Sequence, residues 1–303
     1  MSKDKNRKRI LFIINPISGS RRKRNLPRLI DENIDKNKFD ITIAETQYAR
    51  HAIEISREGV EQGYDIIVAV GGDGTVNEVA SQMIHSNSAL GIIPGGSGNG
   101  LARHLNIPLI PSRAIELLNK GVANKIDTAT VNDIPFVSIA GVGFDALVAK
   151  KFAESPRRGF LTYFRIAANK FLTYKPKKYT LKFDDGLFIK QRAFFIAFAN
   201  SNQFGYNAQI APNARLNDGK IDICIAQKPN VFQTPVVANL LLLKLIDKSP
   251  LVDIISTTGV VINRKKNKVV NIDGEPVKLT KELVVKVVPS SLKVIIPQNG
   301  QTK

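Results

Sequence analysis

The chain has 303 residues, one cysteine (Cys224), no tryptophan and a formal net charge of +18 at pH 7. A lone cysteine excludes an internal disulfide framework and favours a reducing, cytoplasmic location. The basic excess indicates an anionic partner, and the lack of a recognisable nucleic-acid-binding module argues against nucleic acid. The longest apolar run, residues 236–246, is well short of the ~20 residues of a membrane-spanning helix.

The first 130 residues alternate between apolar runs and amphipathic segments. This alternation predicts a parallel sheet covered by helices on both faces. The predicted strands are residues 9–15, 39–46, 65–70 and 89–94, and the predicted helices are residues 21–34, 50–63, 75–84 and 111–121.

Strand-like segments dominate beyond residue 130. Strands are predicted at 136–143, 179–183, 190–200, 220–226, 252–263, 268–274, 283–289 and 292–297, and helices at 145–153, 157–172 and 231–246. The sequence therefore predicts an α/β fold of two domains. A parallel-sheet domain (1–130) precedes a mostly antiparallel β domain (131–290). The last residues, 291–303, are candidates to rejoin the first domain, and the active site is expected in the interdomain cleft.

Three glycine-rich segments each follow a predicted strand and open a helix. They are "NPISGS" (15–20), "GGDGT" (71–75) and "PGGSGNG" (94–100). In a parallel sheet such loops share the carboxyl edge, where helix N-termini and bare backbone favour phosphate. Their spacings match neither a Walker A loop nor a dinucleotide fingerprint. A carboxylate among phosphate-binding amides, here Asp73, repels phosphate unless a cation lies between them, so a Mg²⁺–nucleotide complex is the expected ligand.

Five motifs together resemble one known family. "NPISG", "VGGDGTVNEV", "IPGGSGNGLAR", "GVGFDA" and "NIDGE" occur in the order and spacing of the diacylglycerol kinase catalytic-domain family, which includes bacterial diacylglycerol kinases, sphingosine kinases and ceramide kinases. The resemblance implies an ATP- and Mg²⁺-dependent kinase that phosphorylates a lipid hydroxyl, such as that of diacylglycerol or a sphingoid-type lipid, in phospholipid biosynthesis. Because NAD kinases share "GGDGT", a soluble substrate such as NAD is an alternative.

The resemblance also implies roles for individual residues of the first domain. The "GGDGTxNE" loop is expected to bind ATP phosphates, with Asp73 also placed in the catalytic group. Asn77 and Glu78 would lie on the first turn of the following helix, although Glu78 is also simply favourable at a helix N-terminus. The expected nucleotide contacts are Asn15, Ser18, Gly19, Thr46, Gly72, Asp73, Gly74, Thr75, Val76, Asn77, Glu78, Gly96, Ser97 and Asn99.

The "NIDGE" motif is expected to supply the remaining carboxylates. Phosphoryl transfer needs a group that accepts or orients the proton of the lipid hydroxyl. Asp273 and Glu275 are both candidates, and the sequence does not separate them; a plain "DG" hairpin turn is the structural alternative. The loop 215–222 resembles the family's structural metal loop. It implies a divalent ion held by the Asp218 side chain and the carbonyls of Arg215 and Lys220, with a plain "NDG" turn as the alternative.

The chain departs from the diacylglycerol kinases at Gly100, where those kinases carry aspartate after Asn99. Sphingosine and ceramide kinases resemble the present sequence more closely at this position. The departure leaves the kinase interpretation intact and makes the lipid identity an open question, with a non-catalytic nucleotide- or lipid-binding protein as a further alternative. Arg103, one helical turn beyond Asn99, is expected either to face the phosphates or to be a solvated helix residue.

Clusters of lysine and arginine are distributed along the chain, at 3–9, 21–24, 157–158, 175–178 and 264–268. In a lipid kinase they would hold the protein peripherally at an anionic membrane, at roughly 1 kcal/mol per well-placed cation. Segment 143–172 is amphipathic and basic, and it is the candidate for membrane or substrate contact, with an ordinary packing helix as the alternative. The oligomeric state stays open, a homodimer included.

Overall fold

The structure, a computed structural model, describes residues 7–17, 25–156 and 159–298, without the side chain of Phe160. Ser18 and Gly19, expected to contact nucleotide, lie outside the described residues. The same holds for the basic clusters at 21–24 and 157–158. The described chain forms two compact units, one reaching to Ile126 and including Ser290 onward, the other spanning Asp127–Pro289.

The first unit is built on a parallel sheet, as predicted. Its strands lie in the order β2-β1-β3-β4, and all neighbours are parallel. These strands are β1 (Lys8–Ile14), β2 (Phe39–Glu45), β3 (Ile66–Gly71) and β4 (Ala89–Pro94). The helices are α1 (Leu26–Asn33), α2 (His51–Glu61), α3 (Asp73–Met83), α4 (Gly100–His104) and α5 (Pro111–Lys120).

The core of the first unit follows from its continuous apolar runs. β3 and β4 are buried along their whole length because helices pack against the sheet. Helix α1 packs with α5, and α2 packs with α3. Phe12, Val68 and Ile115 lie fully within this core.

The second unit is an antiparallel β sandwich with three helices among its described residues. One sheet contains β9-β8-β13 and the first half of β16, and the other has the order β12-β11-β10-β7-β14-β15. The strands are β5 (Val122–Val131, which begins in the first unit), β6 (Ile134–Phe136), β7 (Ile139–Gly143), β8 (Lys177–Phe183), β9 (Phe188–Ala193), β10 (Phe195–Ala199), β11 (Ile221–Ala226), β12 (Val252–Thr257), β13 (Gly259–Arg264), β14 (Lys268–Ile272), β15 (Glu275–Leu279) and β16 (Glu282–Ile296). The helices are α6 (Phe144–Ala153), α7 (Phe160–Phe171) and α8 (Gln233–Leu242).

Two segments predicted as single strands each form two. Residues 190–200 divide at Phe194, because β9 pairs with β8 in one sheet whereas β10 pairs with β7 and β11 in the other. Residues 252–263 divide at Thr258 in the same way, between β12 and β13. An apolar run does not show where a chain passes from one sheet to the other, because side chains before and after the crossing are both buried in the core.

The opposite error occurs at the end of the chain. The predicted strands 283–289 and 292–297 form one strand, β16, that contains Ser290 at a left-handed φ of 48°. Before this residue β16 runs antiparallel to β13, and after it Lys293 and Val294 pair in parallel with β4. No helix in the described part of the chain is long and apolar enough to cross a membrane.

Candidate nucleotide-binding and catalytic site

The residues that follow the four parallel strands of the first unit lie at one edge of its sheet. The backbone N–H of Asn15 donates to the Val70 carbonyl at 3.1 Å, and that of Thr46 donates to the Ile14 carbonyl at 2.9 Å. The loops after β3 and β4 begin at the same edge. The first unit therefore gathers Asn15, Thr46 and both glycine loops into one area, as the parallel sheet predicts.

The two glycine loops touch through bare backbone. The N–H of Gly95 donates to the Gly71 carbonyl at 2.6 Å. A Cβ atom on Gly96 would lie 2.6 Å from the Cα of Gly72, well inside van der Waals contact. A Cβ on Gly72 would lie 3.3 Å from the Cα of Gly96, so there is no room for a side chain at Gly96 and little room at Gly72.

Asp73 joins the same two loops with its side chain. Its carboxylate accepts the N–H of Asn99 at 2.9 Å and that of Gly100 at 2.7 Å. The residue is only half-buried, but its carboxyl group is enclosed, and burial raises the pKa of Asp73 against the lowering effect of these two N–H donors. Asp73 thus holds the two loops together, and its catalytic role and its contact with a cation stay predictions.

The N-terminus of α3 fits a phosphate-bearing ligand. Gly72 is its N-cap and has no side chain, so the N-cap residue of this eleven-residue helix makes no side-chain hydrogen bond to the first N–H groups. The hydroxyl of Thr75 accepts a hydrogen bond from Asn15 Nδ2 at 3.1 Å, which ties the loop after β1 to the loop after β3. Carboxylate oxygens at Asp73 and Glu78, which is half-buried, are of the type that Mg²⁺ prefers.

The glycine loop after β4, residues 94–100, is held mainly by hydrogen bonds between its own atoms. Asn99 is left-handed, with φ of 52°; its Oδ1 accepts the N–H of Gly96 at 3.1 Å, and its Nδ2 donates to the Gly96 carbonyl at 2.9 Å. Arg103 Nε donates to the Gly98 carbonyl at 3.0 Å, so Arg103 points back at the loop. Ser97 is exposed at the tip, where a ligand hydroxyl or phosphate could reach it.

Two of the expected nucleotide contacts have restricted roles. The Val76 side chain is 6% exposed and packs in the core, so only its backbone is available to a ligand. Asn77 is half-buried and lies, with Glu78, on the second turn of α3 and not on the first turn as predicted, because the helix begins at Asp73. Gly74, together with Thr75, completes the turn that begins at Asp73.

Asp273 and Glu275, which the sequence left equivalent, lie in different environments. The Asp273 carboxylate accepts three backbone N–H groups, from Val137 at 2.8 Å, Ser138 at 3.0 Å and Ile139 at 2.8 Å. Only 5% of the residue is exposed. Glu275 is exposed at the start of β15. The lone pairs of Asp273 are therefore largely committed to the backbone, whereas Glu275 faces solvent.

The turn between the two carboxylates is a two-residue hairpin. Asp273 and Gly274 both have left-handed φ values, 46° and 93°, as a type I′ turn requires. Asn271 Oδ1 accepts the N–H of Gly274 at 2.9 Å. The structural alternative, a plain "DG" hairpin, is therefore correct for the backbone, and it leaves Glu275 accessible.

Asp145 is a buried carboxylate to which we assigned no role from the sequence. Its Oδ2 accepts a hydrogen bond from Asn271 Nδ2 at 2.8 Å, linking the "GVGFDA" and "NIDGE" motifs within the second unit. Gly141 makes room for it, since a Cβ there would lie 2.8 Å from this oxygen. Burial raises the pKa of Asp145 to about 6, and the Asn271 hydrogen bond opposes that rise. Its presence in a motif was the only sequence signal.

The loop that resembles a structural metal site is anchored by another carboxylate that sequence reasoning missed. Asp127 Oδ2 accepts the N–H of Gly219 at 2.7 Å, and Asp218 Oδ1 accepts the N–H of Lys220 at 3.0 Å. Asp218 and Arg215 line a cavity of about 400 Å³ together with Asp222, whose pKa is raised by burial. Within the described residues there is no group of three or more His, Cys, Asp or Glu side chains arranged for a metal, so the site stays a prediction.

Comparison with known proteins assigns the chain to a family. The family model described as the diacylglycerol kinase catalytic domain matches residues 9–131. The model described as the YegS C-terminal NAD kinase beta sandwich-like domain matches residues 138–296, more than half of the chain. The chain belongs to the diacylglycerol kinase/YegS family of lipid kinases. The resemblance inferred from the five motifs is thereby confirmed.

Individual members of the diacylglycerol kinase/YegS family cover most of the chain. A diacylglycerol kinase from Staphylococcus saprophyticus is 27% identical over 89% of this chain and 89% of its own length. A Serratia proteamaculans protein named "Probable lipid kinase YegS-like" is 29% identical over 82% of this chain and 83% of its own. A crystal structure of a diacylglycerol kinase from Bacillus anthracis shares the fold, with a TM-score of 0.77, 20% identity and coverage of 99% and 100% of the two chains.

Proposed function

We propose that this protein transfers the γ-phosphoryl group of ATP to the hydroxyl of a membrane lipid, with Mg²⁺ as the metal. Membership in a lipid kinase family supports the reaction class. The observation that carries the proposal is the edge of the parallel sheet. There, two bare glycine loops and the N-terminus of α3, whose N-cap residue is a glycine, form a surface suited to phosphate.

On the nucleotide side, the role of the chain is positioning. The Asp73 carboxylate accepts the N–H groups of Asn99 and Gly100, and the Asn15–Thr75 hydrogen bond holds the loop after β1. The backbone N–H groups of these loops therefore keep one geometry. A fixed set of donors lowers the barrier of phosphoryl transfer because nothing has to reorganise during the reaction. When bound, Mg²⁺ would neutralise phosphate charge at this edge.

We assign the proton acceptor to Glu275. A general base needs a free lone pair within reach of the hydroxyl proton. Three backbone N–H groups occupy Asp273, whereas Glu275 is exposed and joined to Asp273 by a tight turn. Asp273 then acts as the residue that positions this turn.

The acceptor lipid is proposed to lie in an anionic membrane to which the protein binds peripherally from the cytoplasm. Helix α7 supports this assignment because it exposes apolar side chains, with Leu161 62% and Phe164 58% exposed, next to Arg165 and Lys170. Such a combination suits the boundary between headgroups and acyl chains. A diacylglycerol or sphingoid-type alcohol fits the family; Gly100 leaves the choice between them open.

The test is transfer of ³²P from ATP, with Mg²⁺, into a product that partitions into chloroform. Diacylglycerol, monoacylglycerol, sphingosine and ceramide serve as acceptors in mixed vesicles. We expect Glu275→Gln to lower kcat at least about 100-fold, the usual contribution of a general base, with an unchanged Tm. Glu282→Gln, another exposed glutamate at the start of a strand, is the matched control and should retain wild-type activity.

The competing functions give different results in the same assay. A kinase with a soluble substrate such as NAD would place the label in the aqueous phase. This alternative is included because the family model of the second domain is described as NAD kinase-like. A non-catalytic protein would bind ATP without labelling any acceptor. Wild-type turnover by Glu275→Gln would refute the assignment of Glu275 alone.

A further inference from the structure

A cavity in the second unit is lined by four lysines. It has a volume of about 380 Å³, within the range of small-ligand sites. Lys150 on α6, Lys177 on β8, Lys268 on β14 and Lys278 on β15 contribute to its wall. The cavity lies beside the N-cap residue of α6, Gly143.

The positive charge of this lysine cavity is not balanced from within. Among the described residues that line it there is no aspartate or glutamate. Lys150 lies 3.8 Å from Glu154, an exposed partner outside the wall, and Lys177 lies over the Tyr174 ring at 5.5 Å from its centroid. Burial, followed by the charges of Lys177 and other nearby cations, lowers the pKa of Lys268.

The tyrosines of the cavity wall add neutral polar groups. Burial raises the pKa of Tyr174 to about 12, and burial likewise raises that of Tyr179. Both hydroxyls therefore stay protonated at physiological pH and contribute no negative charge. An anion in the cavity would meet ammonium groups and a hydroxyl, and no competing carboxylate.

The residues that line this cavity come from segments that are distant in the sequence. Arg264 pairs with Tyr179 across β13 and β8, which brings the basic clusters at 175–178 and 264–268 together. The Arg264 guanidinium does not face a ligand: it donates to the carbonyls of Lys268, Val269, Leu279 and Thr280. These bonds fix the turn that carries Lys268, and the Val269–Lys278 pair aligns the neighbouring strand.

We propose that the lysine cavity binds the phosphate group of an anionic ligand, at a site separate from the residues assigned to phosphoryl transfer. Four ammonium groups around a recess whose wall carries no carboxylate attract phosphate strongly, because opposite charges interact best where water is partly excluded. Glu275 lies three residues from Lys278 along β15, roughly 10 Å at the rise of a strand. The phosphate can belong to a lipid headgroup or to a soluble metabolite. The site does not depend on the proposed kinase activity.

The experiment compares a paired substitution with a control of equal charge. Lys177→Gln/Lys268→Gln removes two cations of the cavity and retains most of each stem. Lys182→Gln/Lys286→Gln removes two exposed lysines from strands β8 and β16 outside the cavity. Equilibrium dialysis with [³²P]orthophosphate probes a soluble source, and sedimentation with phosphatidylglycerol/phosphatidylcholine vesicles, against pure phosphatidylcholine, probes a headgroup.

We expect the cavity variant to lose affinity at least about tenfold in one of the two arms, and the control variant to stay near wild type. Loss with orthophosphate identifies a soluble ligand, and loss confined to anionic vesicles identifies a headgroup. Equal affinity of both variants in both arms, or no binding by the wild type in either, overturns the proposal. Lys278→Gln serves as a second variant if the paired substitution impairs folding.

Discussion

At the scale of single residues, the aspartates of the motifs mostly hold backbone. Asp73 accepts two N–H groups across the glycine loops, Asp273 accepts three, and Asp145 accepts the amide of Asn271. A carboxylate that is buried with such donors fixes a loop because losing it leaves several N–H groups unpaired. Glu275, in contrast, is exposed to solvent at the start of β15.

Asp145 makes stability depend on pH in a direction opposite to that of a typical ion-paired aspartate. Burial raises its pKa from 3.8 to about 6, so the folded chain retains a proton that the unfolded chain has lost between these values. The wild type should lose stability as the pH rises through this window, and the penalty is complete above it. We expect Asp145→Asn to gain about 2 kcal/mol relative to wild type between pH 4.5 and pH 8.

Urea unfolding of both proteins at the two pH values measures this difference. Asp253→Asn, an exposed carboxylate on β12, provides the control, and its offset from wild type should be the same at both pH values. An Asp145→Asn offset that is equally flat would show that the carboxyl group does not carry a raised pKa.

At the scale of elements, the loops after β3 and β4 form one unit of structure. Their contact consists of the Gly95–Gly71 hydrogen bond, the Gly72–Gly96 approach and the Asp73 bridge. Because both loops leave neighbouring parallel strands, a displacement of one moves the other. Loss of this contact should therefore disorder the proposed phosphate surface as a whole.

The two glycines of this contact allow a graded test. A Cβ on Gly96 would lie 2.6 Å from backbone, whereas a Cβ on Gly72 would lie 3.3 Å from the nearest atom. We expect Gly96→Ala to weaken ATP binding at least about tenfold and to lower stability by about 1–3 kcal/mol, with a clearly smaller effect from Gly72→Ala. Calorimetric ATP titration and thermal unfolding of the two variants give the comparison; equal effects would argue against the close contact.

Element boundaries show where sequence reasoning reached its limit. Periodicity and glycine position correctly predicted the parallel strands of the first unit and the loops at their carboxyl ends, because both signals are local in the sequence. The division of 190–200 and 252–263 between two sheets was missed, since β9 and β10 differ in their partners and not in their composition. The single strand β16 was predicted as two strands because Pro289 and the two serines after it indicate a break, whereas the structure continues the strand through Ser290 at a left-handed φ.

At the scale of the whole molecule, charge is the dominant property. Lysine and arginine number 44 against 26 acidic residues. The described ion pairs are few, short-range in sequence and exposed, so most of the positive charge faces solvent. A surface of this kind is attracted to anionic bilayers, and salt screens that attraction.

We expect binding to phosphatidylglycerol-containing vesicles to fall at least about tenfold when NaCl rises from about 0.05 M to 0.3 M. Sedimentation at a series of salt concentrations measures it, with phosphatidylcholine vesicles as the uncharged comparison. Binding that is insensitive to salt would indicate that apolar side chains such as Phe164 on α7, rather than charge, dominate membrane contact.

The sequence by itself determined the family, the parallel arrangement of the first unit and the placement of glycine loops at one edge. These follow from periodicity, glycine spacing and motif order, which can be read from the sequence without knowing which strands pair or which side chains are in contact. Only the tertiary structure decided which carboxylates are committed to backbone and that two basic clusters share a cavity. Those contacts join residues such as Asp145 and Asn271, 126 positions apart, which come within hydrogen-bonding distance because β14 pairs with β7 and α6 follows β7 directly.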